Sequence, residues 1–121
     1  MKEVLEVLEC ELKAIKERLA QDLFNHLEYS IDWVLDNSYR HAALSEVSCW
    51  IDYVSSTEEE KLPGRTQELI HRISNEVMEE DCFIECIVSH WIMSEIMTFD
   101  METLEDIMEE LLDDFKTEGG E

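Results

Sequence analysis

The sequence predicts an all-α chain, a compact bundle of about four to five helices whose C-terminal helices are acidic. Three observations carry that prediction. The 121 residues contain three Gly and one Pro, and two of the Gly form the terminal Gly119-Gly120 pair. An all-β domain needs many turns, and turns draw on Gly, Asn and Pro. Apolar residues recur at spacings of three and four over long stretches, which is one face of a helix. They make up 45% of the chain, enough for a core that this length closes without metals or disulfides. A single helical domain over 1–116 is expected, followed by a flexible tail at 117–121.

The first helical stretch covers residues 2–35, which hold no Gly or Pro. Leu5, Leu8, Leu12, Ile15 and Leu19 form its inner stripe, and Leu23, Leu27, Ile31 and Val34 continue it after a one-step shift. The stretch is read as one long helix, or as two with a break near Tyr29-Ser30, and a stop and restart is expected at Asp36-Asn37-Ser38, whose side chains cap and turn the backbone. A second helix then runs from about Ser38 to Val54 on Ala43, Leu44, Val47, Trp50, Ile51 and Val54, and ends at Ser55-Ser56-Thr57. Thr57 and Glu60 have capping-box spacing for a short turn that Pro63-Gly64 closes. Thr66 is expected to cap a third helix with Leu69, Ile70, Ile73 and Val77 inward, and a kink or a break is expected at Glu79-Glu80-Asp81. From Cys82 to Met97 two apolar stripes share one helix. One is Ile84, Ile87, Val88 and Trp91; the other is Cys82, Cys86, Ser89, Met93 and Met97. A helix apolar on both faces is buried on both, so the second stripe is the candidate homodimer face. Thr98 or Asp100 caps the last helix, which ends near Lys116 with Leu104, Ile107, Met108, Leu111 and Phe115 inward.

Charge is the strongest functional clue. The chain carries 31 acids against 9 Lys/Arg, a formal net charge of −22, where a small soluble domain usually carries a magnitude of ~2–8. Such a surface repels nucleic acid and anionic membrane, so neither is expected as a direct ligand. Residues 1–72 hold 15 acids and 8 bases; residues 73–121 hold 16 acids and one base, Lys116. The last helix stacks like charges at i,i+4, as in Glu102/Asp106 and Glu105/Glu109, at a cost of ~0.2–0.5 kcal/mol per pair. Helix stability gives no reason for that pattern, whereas a cationic partner does; a merely solvated face is the plain alternative. The candidate partner-binding acids are Glu76, Glu79, Glu80, Asp81, Glu102, Glu105, Asp106, Glu109, Glu110, Asp113 and Asp114. Helical carboxylates at i,i+3 and i,i+4 lie ~5–6 Å apart, close to the spacing of successive phosphates. Twenty-two charges match ~37 Å of duplex at one charge per ~1.7 Å.

Other constellations are weaker. Cys82, Cys86 and His90 share a helix face, but zinc sites usually take ligands from two elements, and buried Cys is a small hydrophobe. Glu68-x-x-His71 is half of a di-iron signature with no second copy. No calcium loop, Gly-rich phosphate loop or nucleophile elbow occurs. Arg65 and His71 loosely fit the Arg-x4–6-His pattern of HEPN ribonucleases, with Thr66 where a polar Asn, Asp or His usually follows the Arg. Trp33, Trp50 and Trp91 read as core. With glutamates in Met1-Lys2-Glu3-Val4-Leu5-Glu6 instead of an apolar run, no secretion signal is expected, and the four cysteines are expected to be reduced.

Ile31, Asp36-Asn37 and His41, then Leu62-Pro63, Thr66, Leu69-Ile70 and Ile73, resemble two segments of the Ocr-like phage antirestriction proteins, small acidic helical DNA mimics. The likeness covers about residues 31–80. It departs from the family at Tyr39, Arg40 and Ala42-Ala43, which stand where the family has Val-Pro before the His and tyrosines after it. The resemblance implies a helical homodimer that mimics bent DNA and blocks DNA-binding host-defence enzymes. The expected function is therefore an acidic mimic that occupies the nucleic-acid-binding cleft of such an enzyme, of antirestriction or anti-CRISPR type. Its expected partner is a basic DNA- or RNA-binding protein. The alternatives are an acidic helical adaptor that grips a partner through an apolar helix face, and a HEPN-like ribonuclease. No catalytic activity, cofactor or metal is expected. The expected location is intracellular, in the cytoplasm, and that of the host cell if the chain is phage-encoded.

Overall fold

A computed structural model describes residues 2–25, 31–77, 83–94 and 99–119. It is all-α. The helices are α1 (Lys2–Asn25), α2 (Ile31–Ser56), α3 (Gly64–Arg72), α4 (Phe83–Met93) and α5 (Met101–Gly119). A 3₁₀ turn at Glu59–Lys61 precedes α3, and a π turn at Ile73–Val77 continues it.

α1 and α2 form an antiparallel pair. Residues near the end of α1, such as Asp22, lie opposite Trp33 and Asp36, while Glu9 and Leu12 lie opposite Ile51 and Asp52. Leu5, Leu8, Leu12, Ile15 and Leu19 are all buried, joined by Val4. The six apolar positions expected for the second helix are buried as well. The continued stripe is weaker: Leu23 and Val34 are half-buried, and Ile31 is 77% exposed. Leu27 and the position of the alternative break, Tyr29-Ser30, lie outside the described residues.

The stop expected at Asp36-Asn37-Ser38 is absent, since α2 runs straight through it. The polar side chains bond back into their own helix rather than capping it. Asn37 donates to the Trp33 carbonyl at 2.8 Å and Ser38 to the Val34 carbonyl at 3.0 Å, both one turn earlier. Thr66 does not cap α3 either. The helix starts at Gly64 behind Pro63, whose carbonyl accepts the Gln67 amide at 3.0 Å, and Thr66 is buried in the first turn. Pro suits a helix start because its missing N–H would go unpaired there anyway. The 3₁₀ turn follows Glu58 with no side-chain cap, so the Thr57–Glu60 box is not formed there.

The π turn keeps Ile73 and Val77 buried, four residues apart; the kink or break expected at Glu79-Glu80-Asp81 lies outside the described residues. α4 starts under a tertiary cap. The Ile84 amide, left unpaired at a helix N-terminus, donates to Glu11 of α1 at 3.0 Å. Phe83, Ile84, Ile87, Val88 and Trp91 are all buried. α5 begins behind Asp100, which accepts the Thr103 amide at 2.7 Å, as an N-cap should. Leu104, Ile107 and Met108 face the core as expected, but Leu112 is fully buried and Leu111 only packs against the core. The Phe115 side chain lies outside the described residues, and the helix continues to Gly119, past the end expected at Lys116. α2 and α4 occupy the middle of the bundle. α1 covers them on one side, and α5 packs on α4, α3 and the π turn.

Candidate partner-binding face

The acidic face of α5 is built against α3. Arg65 and Arg72 are seven residues apart, two helical turns, and so lie on the same side of α3. Arg65 pairs with Asp106 and with Glu109, reaching Glu109 through Nε at 2.9 Å. Arg72 donates to Asp113 at 2.7 Å and lies 3.4 Å from Glu76. The pairing advances in the same sense along both helices, so α3 and α5 run parallel. The Thr66 hydroxyl, 2% exposed as a residue, donates to Glu105 at 2.8 Å. From α4, His90 lies 3.2 Å from Glu110.

Both arginines are held more firmly protonated than usual. For Arg65 the hydrogen bond with Asp106 is the leading cause, with Glu109 adding to it against partial burial. For Arg72 burial is the largest influence and opposes the charge, but the Asp113 hydrogen bond and the Glu76 charge together outweigh it. The pairing does not hide the carboxylates. The side chains of Asp106, Glu110 and Asp113 stay 65%, 62% and 71% exposed. Glu102 and Asp114 are exposed too.

Of the sequence-predicted acids, the structure therefore brings Glu76, Glu105, Asp106, Glu109, Glu110 and Asp113 into one region around α3, α4 and α5. Glu79, Glu80 and Asp81 lie outside the described residues. On the expected dimer face, Cys86 and Ser89 are half-buried and Met93 is 83% exposed, while Cys82 and Met97 lie outside the described residues. The stripe is thus only partly apolar contact, and it opens to solvent at the end of α4. Arg65, first residue of the Arg-x5-His pattern, is committed to two carboxylates, and His71 is exposed. Trp33 is half-buried rather than core, whereas Trp50 and Trp91 are core; Trp91 stacks on Phe99 at 5.0 Å.

Sequence reasoning missed the partners of the acids, Arg65, Thr66, Arg72 and His90. A signal was present: Arg65 and Arg72 repeat at seven, as do Asp106 and Asp113. It also missed two concave features. A cleft of about 260 Å³ lies between α1, α2 and α4, lined by both signs of charge: Arg18, Arg40, Asp22, Asp36 and Glu85, beside Trp33. A groove of about 470 Å³ lies where α2, α3 and α5 meet. Among the described residues, no group of three or more His, Cys, Asp or Glu is placed to hold a metal, and no helix is long and apolar enough to cross a membrane. Comparison with family models, curated proteins and solved structures finds no match.

Proposed function

We propose that this chain is an acidic mimic of nucleic acid that occupies the nucleic-acid-binding cleft of a basic host-defence protein, of antirestriction or anti-CRISPR type. One observation supports this above the others. Asp106, Glu110 and Asp113 of α5 lie against Arg65, His90 and Arg72 yet remain largely exposed. A solvated face needs only loose charge. Carboxylates carried on a packed helix form an ordered array, which a cleft shaped for phosphates can dock against at a reduced ordering cost. The excess is large, with 31 acids against 9 Lys/Arg, so self-pairing leaves most of the charge for a partner.

The adaptor reading draws on one observation, Met93 at 83% exposure beside half-buried Cys86 and Ser89. The two readings differ in salt response. An affinity pulldown from a bacterial lysate at low and high salt, with bound proteins identified by mass spectrometry, tests them. Mimicry predicts capture of a DNA- or RNA-binding protein that is lost as salt rises and is displaced by duplex DNA. Capture that survives high salt and ignores DNA would sink the mimic and favour the adaptor.

A further inference from the structure

The acidic face has an apolar pit at its edge. The groove where α2, α3 and α5 meet is lined by Trp50, Tyr53, Pro63 and Met101, together with Cys49, Thr66 and Glu105. Its volume of about 470 Å³ falls within the range of ligand-sized pockets. No Lys or Arg lines it. Arg65, next to Thr66 in the chain, is already committed to Asp106 and Glu109. The charges that flank the groove are carboxylates. Glu105 lines it, and exposed Glu102 follows Met101 on α5.

We infer that this groove receives a basic amphipathic helix of the partner protein, with aliphatic side chains in the pit and Lys or Arg against Glu105 and Glu102. Charge complementarity selects the occupant. An acidic or neutral segment would bring nothing to these two carboxylates, and a nucleic acid would be repelled by them. The apolar walls then supply what a charge array lacks. Binding energy concentrates in desolvated pockets ringed by polar groups, and apolar anchors at i, i+3, i+4 and i+7 fit a groove between helices. This rests on the proposed cationic partner and adds the place where its grip is strongest.

Cys49 is exposed and lines the groove, while Cys10 is exposed on α1 and is absent from the groove's lining. Their alkylation rates with iodoacetamide, read by peptide mass spectrometry, report occupancy site by site. Two probes are compared: a Lys/Leu helical peptide with leucines at the anchor spacing, and a peptide of equal length and charge with serines in their place. At about ten times its Kd, the Lys/Leu peptide should slow Cys49 alkylation roughly tenfold relative to Cys10. The Lys/Ser peptide should bind at low salt without protecting Cys49. Tyr53→Ser, at a residue 41% exposed, should weaken the protection and leave Lys/Ser binding unchanged. Unprotected Cys49, equal protection by both peptides, or protection that survives Tyr53→Ser overturns the groove assignment while the charge reading stands. Failure of both peptides to bind at low salt overturns both.

Discussion

Asp100 shows how one side chain starts an element and sets a pH response. Its carboxylate accepts the Thr103 amide, an orphan donor of the α5 N-terminus. That backbone hydrogen bond, with the Thr103 hydroxyl adding to it, holds the Asp100 pKa below its ordinary value. A lowered native pKa means stability that is fully present above the ordinary carboxylate range and lost as pH falls through the native value. Asn caps about as well as Asp but cannot ionise and gains nothing from the helix dipole. Asp100→Asn should therefore lower Tm slightly at neutral pH, and the gap to the native chain should close in acid. Thermal unfolding of both proteins from about pH 7 to about pH 2 checks this; a gap that stays constant would refute the assignment. Residue type narrowed this cap to Thr98 or Asp100. It misled at Thr66, Asn37 and Ser38, because the same hydroxyl or amide that caps a helix can bond back one turn or reach across to another element. Which of these it does depends on neighbours brought in by tertiary packing, and local sequence does not contain them.

Between elements, the tie of α3 to α5 changes how the acidic helix is understood. Taken alone, α5 stacks like charges at a cost in helix stability; beside α3, part of that cost is offset. Arg72 is the central residue. Its side chain is 18% exposed, against 24% for Glu76 and 71% for Asp113. The Asp113 contact is the shorter but lies mostly in water, so screening limits it, and a coupling of about 0.2–1 kcal/mol is expected. A double-mutant cycle of Arg72→Ala and Asp113→Ala, followed by denaturant unfolding, should return that coupling at low salt and less at high salt. Arg72→Ala by itself should cost more, about 1–2 kcal/mol, because it also removes the packed stem and leaves Glu76 unpaired. A zero coupling at low salt would reduce the tie to mere proximity. The apolar stripes of these elements were legible, since a period near 3.6 is local. The choice between Leu111 and Leu112 was not. Adjacent leucines are 100° apart on a helix, and only the positions of the elements packed on α5 decide which is fully buried.

Over the whole molecule, 31 acids outnumber 9 Lys/Arg, so repulsive pairs far exceed attractive ones. Two effects of salt follow, with opposite signs. A globule of this length has a radius of gyration of ~14 Å. At about 0.01 M salt the Debye length is ~30 Å and every carboxylate feels every other; at about 1 M it is ~3 Å and only contacts survive. Salt weakens the few Arg–carboxylate ties, but it relieves a larger sum of repulsion. Tm should therefore rise with salt, by on the order of 5 °C per kcal/mol relieved. Association with a basic cleft should weaken over the same range, because there the dominant interaction is attractive. Calorimetry of the free chain and titration with its captured partner, in matched salt series, read the two slopes. Opposite slopes mean that the complex dissociates while the acidic protein becomes more stable, so lost binding cannot be ascribed to unfolding. A Tm that falls with salt would mean that the ties from Arg65 and Arg72 outweigh the repulsion, and that the charge serves the fold before it serves any partner.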